Sequence, residues 1–132
     1  MDLLPTFAGL AGAELPHYEI DGVNVYDIIT CQPDTTNPHD YYPVSTGRSL
    51  DGVISGNGKW KLHLPHSYRT LVRIGNDGEP GRYETTKIEL SLFDMKNDPY
   101  ETTNVINQFP EIAKKLQNWA ESHRDKWWVE RN

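Results

Sequence analysis

The chain is poor in what would place it in several common classes. Of its 132 residues one is cysteine, Cys31, so no disulfide can form within the chain. Cations are outnumbered: 13 Lys and Arg against 19 Asp and Glu give a formal net charge of -6. That balance disfavours nucleic acid and an anionic membrane surface as partners, because both attract clustered Lys and Arg. Long apolar runs are also missing, and nothing approaches the roughly 18 residues that a bilayer span needs. The opening Met1-Asp2-Leu3-Leu4-Pro5 lacks the basic region and apolar core of a signal peptide. Apolar residues make up only 36%, whereas 9 prolines and 10 glycines predict many turns. The length suits one small domain spanning residues 1-132, loop-rich enough to lean on a neighbour.

What is present orders itself as helix, loop, strands, helix. Residues 2-12 predict an amphipathic helix with Asp2 as its cap, Pro5 in the first turn, Leu3, Phe7 and Leu10 on one face, and Gly12 as its stop. A polar connection follows, with a helical turn near Val25-Ile29 and loop chemistry from Gln32 to Pro38. Tyr41 to Ser45 predicts an edge strand, where Pro43 is tolerated. Ser55-Gly56-Asn57-Gly58 predicts a tight primed hairpin turn. Beyond it Trp60, Leu62 and Leu64 alternate with Lys59, Lys61 and His63, so one strand face is core and the other wet or functional. A second hairpin turns at Gly75-Gly81, from Leu71-Ile74 into a strand from Lys87 to Phe93. Asp98 then predicts a cap, with Glu101 reaching back to it as a helix restarts. The last helix, from about Pro110 to Trp128, repeats Ile112, Leu116, Trp119, His123 and Trp127 at helical spacing. The fold class is therefore α+β: a small antiparallel sheet of about four strands, a C-terminal helix on one face and a short N-terminal helix.

Four stretches carry a family resemblance. The order Glu89-Leu90-Ser91-Leu92-Phe93-Asp94-Met95, then Asp98-Pro99-Tyr100-Glu101 and Asn104-Val105, is similar to the segment near the end of sulfatases of the alkaline-phosphatase superfamily. Asp2-Leu3-Leu4-Pro5-Thr6 with Ala11-Gly12 resembles the helix that precedes their C-terminal region. Ile20-Asp21-Gly22-Val23-Asn24-Val25 resembles a family turn, and Gly58-Lys59-Trp60-Lys61-Leu62 a family strand. The resemblance implies a C-terminal subdomain of an arylsulfatase-like enzyme that hydrolyses sulfate esters. It implies that calcium and formylglycine belong to a catalytic domain outside this chain, and that this domain is the chain's partner. It also implies a periplasmic, secreted or lysosomal parent.

Candidate chemistry is sparse. Cys31-Gln32-Pro33-Asp34-Thr35 imitates the family's nucleophile motif, but Thr35 stands where the motif has Arg, so no catalytic residue is assigned. Asp94, Asp98 and Glu101 are the nearest acidic cluster, and their spacing fits capping rather than a metal. The basic side of the Trp60 strand is the one functional candidate. Lys61, His63, His66 and Arg69 present donors suited to a sulfate or a sugar carboxylate. Trp119 and Trp127 fit core packing, while Trp128 faces elsewhere, towards the absent domain. The alternative reading is a free-standing module that binds anionic glycans. With either reading, an exposed apolar surface could pair with a second copy of the chain.

Overall fold

The computed structural model describes residues 1-47 and 49-127. The side chain of Trp127, and Trp128 altogether, lie outside the described residues. The chain divides into two compact units, residues 1-40 and 41-132.

The first unit is held by polar groups. Its helix α1 spans Leu3–Ala11 and ends at Gly12, whose φ of 63° occupies the left-handed region that a C-cap needs. Asp2 does not cap it by its side chain. Instead its carboxylate accepts hydrogen bonds from the Val23 amide (3.1 Å) and the His39 ring (2.9 Å). The Thr6 hydroxyl donates to the Asp2 carbonyl at 2.7 Å and accepts from the Val25 amide at 3.0 Å. Gly22 passes so close that a Cβ would lie 2.3 Å from the Met1 carbonyl oxygen, which accounts for glycine in the Asp-Gly turn. A single helical turn, α2 (Tyr26–Ile29), follows. Only Pro5 and Thr6 are buried in this unit.

The second unit has a core. Strands β1 (Tyr41–Thr46), β2 (Ser49–Ser55), β3 (Trp60–His63) and β6 (Ser91–Asp94) form a sheet in the order β1-β2-β3-β6, every pair antiparallel. Register places Pro43, Val53, Leu62 and Leu92 in one row across the sheet. Helix α3 (Pro110–Trp127) lies over β2 and β3 on that face. Its seam is Ala113, Leu116 and Ala120, all buried, with Ile112 and Trp119 packed beside them. Of the predicted stripe, Leu116 lies in the seam between the two alanines, and Ile112 and Trp119 flank it. The α+β architecture anticipated by the pattern is the one observed. Among the described residues no helix is long and apolar enough to cross a membrane.

Three local expectations are corrected. The β2-β3 connection is not a primed turn. Gly58, at φ 68°, is the one loop residue there with positive φ, and Asn57 Oδ1 instead accepts from the Lys59 amide at 3.0 Å. The stretch Lys87–Phe93 is two strands: β5 (Arg82–Ile88) pairs with β4 (His66–Arg73) in a separate ribbon, and β6 begins at Ser91. Ser91 Oγ donates to the Glu89 carbonyl at 2.8 Å and turns the chain between them. Finally, no helix restarts after Asp98, which accepts from the Thr103 amide at 2.7 Å in a turn, and the next helix begins at Pro110.

Leu62 has no exposure and sits at the centre of the core row. Leu62→Ala is expected to destabilise the chain by about 2-5 kcal/mol. A shift in the urea midpoint at constant slope is the measurement that checks it.

Candidate functional site

Alternation along β3 turns Trp60 and Leu62 to the α3 face and Lys61 and His63 to the other. Across that second face Lys61 stands opposite Ile54 and Phe93, and His63 opposite Gly52 and Ser91. The predicted cations therefore do share a surface. They share it with an acid that spacing had assigned elsewhere. Glu101 does not reach back to Asp98; its Oε1 accepts from Lys61 Nζ at 2.6 Å and its Oε2 from His63 Nε2 at 2.6 Å.

The backbone explains how Glu101 gets there. Its φ of 57° puts a non-glycine residue in the left-handed region, which costs of order 1 kcal/mol or more and persists where surrounding contacts over-determine it. Here those contacts are two charge-assisted hydrogen bonds at side chains that are only 16% to 25% exposed. Directly after it, Asn104 and Val105 occupy the outer edge of β6. Asn104 Oδ1 accepts the Leu92 amide at 3.1 Å, and the Val105 amide donates to the Leu92 carbonyl at 2.9 Å. An edge strand that would otherwise expose its ladder is thus closed by the same segment.

His66 joins the cluster through its ring, stacked on that of His63 with centroids 5.5 Å apart. Its Nδ1 donates to the Leu64 carbonyl at 2.7 Å. Asp51 is buried at the irregularity between β1 and β2 and accepts from Ser49 Oγ at 2.7 Å. Arg69 is not part of this group. It lies three residues from His66 along β4, hence on the opposite face of the ribbon, with its guanidinium 4.7 Å from the centroid of the Tyr83 ring. The structure brings together Lys61, His63 and His66, and leaves Arg69 apart.

Electrostatics make the cluster self-satisfied. Burial pushes the His63 imidazole below its ordinary range, more than its bond to Glu101 raises it, and the Lys61 charge lowers it further. With Nε2–H committed to Glu101, the buried Nδ1 has no hydrogen-bond partner, consistent with a neutral ring. Burial acts on Glu101 in the opposite sense, yet the bonds from Lys61 and His63 outweigh it and hold the carboxyl below its ordinary value. Asp51 behaves alike: hydrogen bonds from Thr46 and Ser49, with the nearby His66 and His63 rings, overcome its burial. Lys61 and Glu101 cancel and His63 is neutral, so the group is a clasp with little net charge to offer an anion.

The other candidates are occupied. Asp94 accepts from the Lys96 amide and from Asn97 Nδ2, and Asp98 from Thr102 Oγ1 and the Thr103 amide. Among the described residues no group of three or more His, Cys, Asp or Glu side chains is placed to hold a metal ion. Cys31 is an exposed free thiol in a turn, and the Thr35 hydroxyl donates to the Gln32 carbonyl, so that loop has no basic partner for the thiol.

No protein-family model matches the chain. Over 118 residues, 86% of this chain, it is 27% identical to arylsulfatase A of Bos taurus. It is 25% identical over 126 residues to arylsulfatase A of Homo sapiens and 25% identical over 141 residues to arylsulfatase J of Mus musculus. The chain is sulfatase-related. Its sulfatase-like sequence spans about a quarter of the length of these curated relatives, 23% to 24%. Two solved structures share the fold. One comes from a study of how Bacteroides thetaiotaomicron metabolises multiple glycosaminoglycans, with TM-score 0.60 and 19% identity over 94% of this chain and 24% of its own. The other, BT4656, was solved with its substrate D-glucosamine-2-N,6-O-disulfate; its TM-score is 0.55 with 20% identity, covering 98% of this chain and 24% of its own.

Removing the Glu101 carboxylate leaves a half-buried ammonium and imidazole unpaired, so Glu101→Ala is expected to cost about 1-3 kcal/mol in chemical denaturation. The pH dependence has a defined sign. His63 has a lowered folded pKa, so its contribution is present above its ordinary value of 6.5 and is lost as pH falls from there through the folded value. Glu101 contributes above 4.5 and loses its contribution as pH falls through its own lowered value. Urea midpoints measured against pH should decline in two stages. His63→Gln should abolish the one that starts near 6.5 and keep the one below 4.5.

Proposed function

We propose that the chain is the C-terminal subdomain of an enzyme that hydrolyses sulfate esters, and that it completes that enzyme's structure without catalysing on its own. The observation that carries this reading is the span of the similarity. It extends over 86% to 89% of this chain yet takes up only 23% to 24% of an arylsulfatase. The pairing of Lys61 and His63 with Glu101 supports the same view, because it ties up the cations that the strand pattern had offered to a substrate. Calcium and formylglycine would belong to the polypeptide that this chain does not contain. The catalytic domain is its partner, and a sulfated substrate would meet this chain only at the rim of the cleft.

Within the cluster His66 is the best-placed contact for such a substrate once its ring is protonated at Nε2 as well as Nδ1, since Glu101 does not tie Nε2. Lys61 and His63 act on the substrate only if Glu101 is displaced. The anionic-glycan module is the second reading, and Arg69 over Tyr83 is the feature in its favour. His66 and Arg69 point to opposite faces of the ribbon, so they do not converge on one sulfate.

The purified chain, assayed on an aryl sulfate with and without calcium, should show no turnover above the uncatalysed rate. Hydrolysis that persists through repurification and follows the protein peak would overturn the accessory role.

A further inference from the structure

Helix α1 carries one polar side chain, Thr6, and it is buried. Its nine residues, Leu3–Ala11, include no charged group. Leu3, Leu4, Phe7 and Leu10 recur at helical spacing as one stripe, and they are 58%, 54%, 61% and 60% exposed. The polar anchoring described above uses Asp2 and Thr6 and leaves this stripe uncovered. With its one polar side chain buried and bonded, a helix bearing such a stripe is suited to an interior, either of a large protein or of a membrane. Nine residues are far short of the roughly 20 that a bilayer requires, so the interior is proteinaceous.

The occupant follows from length. About three quarters of each arylsulfatase that this chain matches has no counterpart here. A second copy is a poor fit, because a helix of nine residues is about 13 Å long and 10-12 Å wide, well below the roughly 800 Å² per partner of a stable interface. We propose that the Leu3, Leu4, Phe7 and Leu10 stripe docks into an apolar layer of the sulfatase catalytic portion and becomes part of that portion's core. Residues 41-127, which bury Leu50, Val53, Leu62, Leu92 and Leu116 by themselves, keep a core of their own. The division explains why the first unit buries only Pro5 and Thr6. It rests on the accessory reading above and adds which face meets the partner.

Hydrogen exchange on the whole chain, alone and as a chimera replacing the matching quarter of bovine arylsulfatase A, tests this. Alone, the amides of residues 3-11 should exchange at least about 100-fold faster than those of β3 and β6, and in the folded chimera they should slow by a similar factor. Phe7→Asp with Leu10→Asp should leave the denaturation midpoint of the isolated chain unchanged and prevent the chimera from folding. Protection of residues 3-11 in the isolated chain would overturn the proposal. So would a homodimer in light scattering that the double variant dissociates, or rapid exchange of α1 in a folded chimera. Turnover by the isolated chain would remove the accessory role without touching these exchange rates, whereas free exchange in a folded chimera removes the docking face alone.

Discussion

Glu101 is the point on which the second unit closes. Lys61 lies 40 residues before it and His63 lies 38, and the intervening chain contains the whole β4-β5 ribbon. Closing an excursion of that length has an entropy cost that grows only slowly with length, so a pair of charge-assisted bonds is enough to offset a useful part of it. The same contact settles several neighbours at once. It holds residue 101 in a backbone region that glutamate seldom adopts, and it brings Asn104 and Val105 against the open edge of β6. Without that edge closure β6 would present an unpaired ladder beside Leu92, one of the fully buried residues.

The clasp also decides what the basic side of β3 can be. Two cationic side chains on one strand face suggest anion binding as long as they are counted alone. A carboxylate within 2.6 Å of both converts them into structure. Burial then completes the conversion, because a desolvated imidazole beside a lysine favours its neutral form despite the carboxylate. Acids and bases paired in this way contribute shape and rigidity before they contribute charge.

Local pattern made much of the fold legible. The period of two in Trp60-Lys61-Leu62-His63 assigned the faces of β3, Pro43 marked the edge strand, and Pro110 marked the start of α3. What local pattern missed was tertiary. Glu101 stands three residues from Asp98, the spacing of a capping box, and nothing nearby in sequence reveals the partners 38 and 40 residues upstream that take it instead. The break between β5 and β6 was hidden for a related reason: Glu89-Leu90 continues the strand pattern, and the bond from Ser91 Oγ to the Glu89 carbonyl divides it. In α3 the predicted stripe named Leu116 of the buried seam and the flanking Ile112 and Trp119, and missed the small Ala113 and Ala120. The order of the family-like segments carried the sulfatase relationship, and the geometry supplied the reasons for several of their residues: Gly22 for a close pass of the backbone, Asn104 for an edge, Glu101 for the clasp.

The low apolar content of the whole chain hides a contrast between its parts. In residues 41-127 a core gathers around one row across a sheet and one seam on a helix, while the β4-β5 ribbon leaves Leu71, Val72 and Ile74 exposed. In residues 1-40 apolar side chains are present but turned outward, and hydrogen bonds to Asp2 and Thr6 do the holding. Hydrogen bonds of that kind contribute about 1 kcal/mol each and fix geometry well, but they do not replace a core. The chain therefore combines a segment with a core of its own and a segment held by hydrogen bonds with its apolar stripe exposed.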